Sequence, residues 1–439
     1  MFFGLTTLPA LADAPPEGSA FRDIFGDYLE RTNNIRVSGL LDVAYSRNNR
    51  STQDERHGGL TNLPVVGVAD EGLQLSNLHL FIEKPLAGTM ILRGTPLPGP
   101  TPQEFSYGIN VELAYGRNAE PARTYGWDMH WGVNSPGDDD PEKAKKNKQL
   151  FLAAPNFALQ GYIPYGNGIN IMAGIFGAGL GYEIPPNVRA SRNMFASKTY
   201  AFSTETGTVS GILIGNRLIN NENVLLGAEL GVVRGSNNLR DNNNTPSFMG
   251  ALRLRSRDMQ SWIDYEFLVG NSQNESAADI QAPKARLISS ENQLKQQYSL
   301  NGGHRFNENW SMGAELLYGH QAGDGKKTTI DLIGGPGFEG AHWWGANTVV
   351  TYNKTKDLSF SLRAEYFDDP DGFALLRRPK AQGSYHAVTA GLNYALTKNI
   401  ALRPELRYDW FTPRDEASPF GNGRDRTQLT STVEMLVYF

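Results

Sequence analysis

From residue 35 to residue 439 the chain repeats one pattern: roughly 10–13 residues of alternating apolar and polar side chains, then a polar break. Alternation with a period of two marks a β-strand that is dry on one face and wet on the other, and this is the length a tilted strand needs to cross a bilayer. In Asn110-Val111-Glu112-Leu113-Ala114-Tyr115 one face carries Val111, Leu113 and Tyr115, while the other carries Asn110, Glu112 and Ala114. The design returns around Glu229, Glu315, Glu365, Glu405 and Glu434, each a carboxylate between apolar neighbours. A charge is costly in the dry core of a soluble sandwich and cheap in a water-filled lumen.

The periodicity predicts strands near 35–47, 73–84, 104–117, 149–163, 167–177, 206–217, 223–235, 246–257, 260–271, 293–305, 309–321, 341–354, 357–368, 384–397, 399–411 and 426–439. That makes 16, and an even number is what single-chain bacterial barrels have. Short turns such as Asp258-Met259, Asn307-Glu308, Thr355-Lys356 and Thr397-Lys398 alternate with long polar loops at 48–72, 118–148, 178–205, 272–292, 322–340, 369–383 and 412–425. The fold class is therefore all-β: a transmembrane antiparallel β-barrel of about 16 strands with long extracellular loops and short periplasmic turns. The proline-rich stretch 85–103 falls where a short turn belongs, so it is either a periplasmic insertion or the mark of a misjudged strand.

Ahead of the barrel (35–439), residues 1–12 end in Ala10-Leu11-Ala12 and read as the remnant of a signal peptide. Residues 13–34 read as a periplasmic segment whose Phe21, Ile24, Phe25 and Leu29 recur at helical spacing. At the other end Val433, Met435, Val437 and Phe439 share one face of the last strand, a pattern similar to the carboxy-terminal assembly signal of outer-membrane barrels.

Composition narrows the picture further. The chain is 40% hydrophobic and 20% charged, with no 18-residue apolar run, so nothing crosses a membrane as a helix. Its polar mean hydropathy does not argue against a membrane barrel, whose alternation averages to polar. The absence of cysteine excludes a disulfide scaffold and thiolate zinc sites. A net charge of −5 argues against nucleic acid as a partner. The seven histidines lack ligand spacing, no nucleotide-binding or nucleophile-elbow motif is complete, and no cofactor is implied. Asp138-Asp139-Asp140 and Asp368-Asp369-Pro370-Asp371-Gly372 lack the full calcium-loop pattern and read as solvated turns.

Several stretches carry a resemblance. Gly174-Ile175-Phe176, Gly181-Tyr182-Glu183, Ser191-Arg192-Asn193, Thr199-Tyr200-Ala201-Phe202, Arg363-Ala364-Glu365-Tyr366-Phe367-Asp368-Asp369-Pro370-Asp371-Gly372 and Arg403-Pro404-Glu405-Leu406-Arg407-Tyr408-Asp409 are similar to the OmpL-like β-barrel porin-2 family. The resemblance runs over most of 35–439 and implies an outer-membrane barrel with a pore, and it says little about the solute.

Candidate lumen residues follow from strand parity. Arg253, Arg255 and Arg257 share a face, as do Asp264 and Glu266 on the next strand, and the tight turn between them sets Arg253 across from Asp264. Glu112, Glu229, Glu315, Arg363, Glu365, Arg403, Glu405 and Arg407 face the same side of the wall. Such rows form either a salt-bridged wall that stiffens the barrel or a transverse field that sorts solutes. The loop 178–205 carries Arg189, Arg192 and Lys198, and it is either an inward loop with a basic patch opposite Glu112 and Glu229 or an ordinary extracellular loop with scattered charges. Tyr45, Tyr115, Trp310, Tyr318, Trp343, Tyr352, Tyr394, Trp410 and Phe439 are expected in interfacial girdles.

These features predict a non-enzymatic porin that passes small hydrophilic solutes or ions. Its expected partners are outer-membrane lipid and lipopolysaccharide, the assembly machinery at Phe439, and, by analogy with barrels of this size, two further copies in a homotrimer. The alternatives are a loop-closed barrel serving as receptor, adhesin or anchor, and a barrel hydrolase using His386 with Ser359 or Ser361.

Overall fold

The computed structural model describes residues 28–50, 65, 67, 68, 71–129, 131, 150–183, 193–241, 243–272, 292–323, 325, 339–375, 381–414, 416–421 and 423–439. A short helix, α1 (Tyr28–Asn33), precedes sixteen strands. These are β1 (Arg36–Asn48), β2 (Gly72–Lys84), β3 (Ser106–Gly116), β4 (Phe151–Ile163), β5 (Ile169–Gly177), β6 (Thr208–Asn220), β7 (Val224–Val233) and β8 (Ser247–Ser256). They continue as β9 (Ser261–Asn271), β10 (Leu294–Arg305), β11 (Trp310–Ala322), β12 (Gly340–Asn353), β13 (Leu358–Asp369), β14 (Gly383–Ala395), β15 (Ile400–Pro413) and β16 (Thr427–Tyr438). Every strand pairs antiparallel with its sequence neighbours, and β1 pairs with β16 to close the barrel. The signal-peptide reading of 1–12 and the apolar residues Phe21, Ile24 and Phe25 lie outside the described residues.

Closure leaves no unpaired strand edge, which is the condition for a sheet to span hydrocarbon. At the seam, the backbones of Gly39 and Phe439 exchange hydrogen bonds of 2.6 and 3.0 Å. A Cβ on Gly39 would lie 2.3 Å from the Phe439 ring, so only glycine lets the aromatic side chain lie flat on β1.

The wall sorts its residues by parity. Leu230, Leu252, Ile263, Leu316 and Leu362 are exposed on the outside, whereas Glu229, Arg253, Asp264, Glu315 and Arg363 are buried inside. Trp343 corrects the girdle expectation. It is 1% exposed and turned inward, packed with Tyr200, Phe367, Tyr385 and Phe411 in an apolar core inside the barrel, while its neighbour Trp344 is 41% exposed outside. Val65 and Val68 of the first long loop, with Phe373 and Phe420 of two others, join this core. Full burial of side chains of this size contributes about 1.5–3 kcal/mol each, enough to hold several loops inside.

The stretch 85–103 is an insertion, and no strand was misjudged. It folds from the short-turn end into the barrel as a small hairpin, with Met90 bridged to Pro96 and Leu97 N–H donating to the Thr89 carbonyl at 2.9 Å.

Candidate functional site

The lumen wall carries its charges as linked clusters. The β8–β9 register pairs Arg253 with Asp264, as the two-residue turn requires. Arg253 donates to Asp264 at 2.7 Å and Glu266 at 2.8 Å, and lies 3.4 Å from Glu229 on β7. Arg255 pairs with the same Asp264. Arg257 does not join them: it stands beyond the end of β8, exposed, and donates to Asn220 at the short-turn end. A second cluster spans β13–β16. Arg363 donates to Glu365 at 2.9 Å, Arg407 to Glu365 at 2.7 Å and to Asp409 at 2.8 Å, and Arg403 pairs with Glu434. Glu112 stands apart, held by His79 at 3.0 Å and Asn156 at 2.6 Å, and Glu315 is held by Ser299 at 3.1 Å and Asn347 at 2.9 Å.

The described residues of the loop between β5 and β6, 178–183 and 193–207, lie inside the barrel, and their backbone binds the second cluster. Ala196 N–H donates to Glu405 at 2.7 Å, Ser197 N–H to Glu405 at 3.2 Å and Tyr200 N–H to Glu365 at 3.0 Å, while Thr199 N–H donates within the loop to Glu183 at 2.7 Å. Hydrogen bonds to an ionised acceptor are about twice as strong as neutral ones. Arg363 returns the contact, reaching Glu183 at 2.8 Å and the Ser197 carbonyl at 2.9 Å. Lys198 is enclosed with this loop, and burial holds its ammonium below the usual lysine range. Arg189 and Arg192, the expected basic patch, lie outside the described residues.

Glu229 instead finds its loop-borne cation in Arg93, on the hairpin 85–103. The guanidinium lies 2.6 Å from the carboxylate, and burial pulls its pKa below the ordinary arginine value. Periodicity could not identify this residue, because the stretch has none; an arginine set among apolar residues in a proline-rich insertion was the available signal.

Two other candidates resolve by parity and by hydrogen bonding. His386 is on the outer face, stacked on Trp410 at 5.0 Å, whereas Ser359 and Ser361 are buried on the inner face, so the strand wall separates them. Asp369 accepts from the N–H groups of Phe373, Ala374 and Leu375 at 2.9–3.1 Å, so its carboxylate organises the turn that follows. Asp138-Asp139-Asp140 lie outside the described residues.

The model of the beta-barrel porin-2, OmpL-like family matches residues 34–439. Similar solved structures include the outer-membrane channel DcaP of Acinetobacter baumannii, with TM-score 0.52, 10% identity and coverage of 92% of this chain and 97% of that one. An anion-selective porin from Comamonas acidovorans has TM-score 0.52, 10% identity and coverage of 92% and 99%. The trimer form of OmpT of Vibrio cholerae has TM-score 0.51, 8% identity and coverage of 92% and 99%. At these identities the likeness is one of fold. None of the curated proteins matches the chain.

Proposed function

Because this chain belongs to the OmpL-like β-barrel porin-2 family of the bacterial outer membrane, we propose that it is a narrow diffusion channel for small hydrophilic solutes or ions. The observation that carries this reading is the sorting of the wall: rows of Glu and Arg are kept inside a closed sixteen-stranded barrel whose outer face is apolar. A barrel of this strand number is wide enough for an aqueous lumen, and rings of charged side chains select among ions. The inward loop and the hairpin 85–103 reduce that bore, which favours ions and small solutes over large ones.

A second reading is supported by the burial of Arg407 and Asp409, both 0% exposed: a loop-closed barrel that acts as a surface receptor, adhesin or anchor. We propose contact with outer-membrane lipid and lipopolysaccharide along the exposed Leu230, Leu252, Ile263 and Leu316, recognition by the assembly machinery at Phe439, and a homotrimer like the trimeric form of the neighbour named above.

Reconstitution into planar bilayers separates the two readings. Stepwise open-channel currents with a reversal potential in a salt gradient support the porin, whereas electrical silence of a folded barrel supports the closed form.

A further inference from the structure

The hairpin 85–103 and the described part of the loop between β5 and β6 enter the barrel from opposite ends and meet around Arg93, where Leu92 also shares a buried apolar cluster with Ala178 and Leu180. Arg93 sits at the hairpin tip, where Ile91 N–H donates to the Thr95 carbonyl at 3.0 Å and Gly94 N–H to the Ile91 carbonyl at 2.9 Å. Its φ of +58° lies in the left-handed region, which glycine adopts freely and arginine rarely does. A strained backbone at such a position points to a role for the side chain it carries. On one side the Arg93 N–H and Nη1 bind the two oxygens of Glu229 at 2.5 and 2.6 Å. On the other, Nε donates to the Ala178 carbonyl at 3.0 Å and Nη2 reaches the carbonyls of Ala178 and Gly179. A guanidinium carries five donors in a rigid planar fork, which suits it to serve acceptors on both sides at once.

The rest of the hairpin is fixed along β4–β7. Asn170 donates to Thr89 Oγ1 at 2.9 Å, and Tyr162 O–H to the Pro102 carbonyl at 2.8 Å. Arg217 donates to the carbonyls of Leu97 and Gly99 at 2.5 and 3.0 Å. Met90 and Leu92 lie over Gly227 and Gly215, where a Cβ would come within 2.6 Å of Met90 Cε and of Leu92 Cδ2. These glycines are the recesses that receive the insertion.

We propose that the hairpin 85–103 forms the periplasmic half of the constriction, and that Arg93 is the positioning residue that locks it to the extracellular half at Ala178 and Gly179. The proposal rests on the porin reading for its functional meaning, and its test separates the two.

Single-channel conductance and reversal potential are measured for the full chain, for Arg93→Ala, for Arg93→Lys, and for a variant with 88–99 replaced by a short Gly-Ser turn. Folding of each is checked by heat-modifiable migration. Arg93→Ala and the Gly-Ser variant are expected to raise conductance about twofold or more, with Arg93→Lys between them and the unmodified chain. Arg93→Ala is also expected to shift the reversal potential toward cations, because Glu229 loses its nearest partner. If Arg93→Ala does not fold, Ile91→Trp reads the same geometry: Ile91 is 57% exposed at the tip, so added bulk there is expected to lower conductance. A silent unmodified chain with conducting variants supports the constriction and overturns the porin reading. Folded variants whose conductance and reversal potential equal those of the unmodified chain, or that stay equally silent, overturn the constriction, as does an unchanged conductance in Ile91→Trp.

Discussion

The phenolic hydroxyl of Tyr200 donates to the carboxylate of Asp409 at 2.5 Å, joining a loop to a strand 209 residues further along the chain. Burial, followed by the charge of Asp409, pushes the Tyr200 phenol well above its ordinary range, so it remains a donor across working pH. Tyr200→Phe removes that donor alone, since Asp409 keeps Arg407 at 2.8 Å and Gln428 at 3.1 Å. The expected cost is about 1.5–3 kcal/mol, read as a lower unfolding midpoint, together with noisier open-channel current as the loop loosens. An unchanged midpoint and quiet current would show that the backbone bonds to Glu405 and Glu365 hold the loop unaided.

Arg253 touches all three of Glu229, Asp264 and Glu266. Arg253→Met leaves three inward carboxylates with fewer partners. The expected destabilisation is about 3–5 kcal/mol, the range for removing one member of a buried ion pair. Reversal-potential measurements on the surviving folded fraction should move toward cation preference. Movement toward anions would contradict the placement of these groups along the solute path.

The adjacent tryptophans should respond differently. Trp343→Ala is expected to cost about 3–5 kcal/mol by opening a cavity beside Phe367 and Phe373. Trp344→Ala, on the outer face against Tyr366, should leave stability in detergent nearly intact. Gly319→Ala supplies a control, because its methyl would come within 2.0–2.3 Å of the Trp343 indole and should displace it. Equal effects of the two tryptophan substitutions on thermal unfolding would argue against the inward core.

Glu205 closes the inward loop near β6, and burial, then the nearby carboxylates of Glu315 and Glu183, raise its pKa well above the usual carboxylate range. The folded protein therefore binds this proton more tightly than the unfolded chain does. That contribution to stability is fully present below the ordinary glutamate pKa and is lost as pH rises through the raised value. Glu205→Gln stays neutral throughout, so its unfolding midpoint should fall less steeply with increasing pH. A pH profile parallel to that of the unmodified chain would contradict the assignment.

The wall was legible because its information is local. Glu112, Glu229 and Glu315 announce a period of two within a few residues, and a two-residue turn at Asp258-Met259 fixes the Arg253–Asp264 register without reference to the rest of the chain. Parity also contained the inward orientation of Trp343, which shares a face with Asn347 and Thr351, but aromatic residues near strand ends fit a girdle as readily. An inward course for 178–205 could be read from the sequence, but the partners of the segments inside the lumen were not legible. Arg93 and Glu229 are 136 residues apart, and Ala196 and Glu405 are 209 apart. Nothing in a proline-rich stretch or a loop signals which carboxylate will accept its N–H groups.

The contacts from Glu229 through Arg93 to Gly179, then by way of Glu183 to Thr199 and from Ser197 to Glu405, run from β7 to β15, strands eight places apart in a ring of sixteen. Strand number fixes the circumference of a barrel but not the shape of its cross-section, and an empty cylinder in a bilayer can flatten. This line of contacts is a tie beam between opposite arcs of the wall. It holds the outline round against lateral pressure, so a substitution at its midpoint should alter the elasticity of the whole cylinder as well as the space available to a solute.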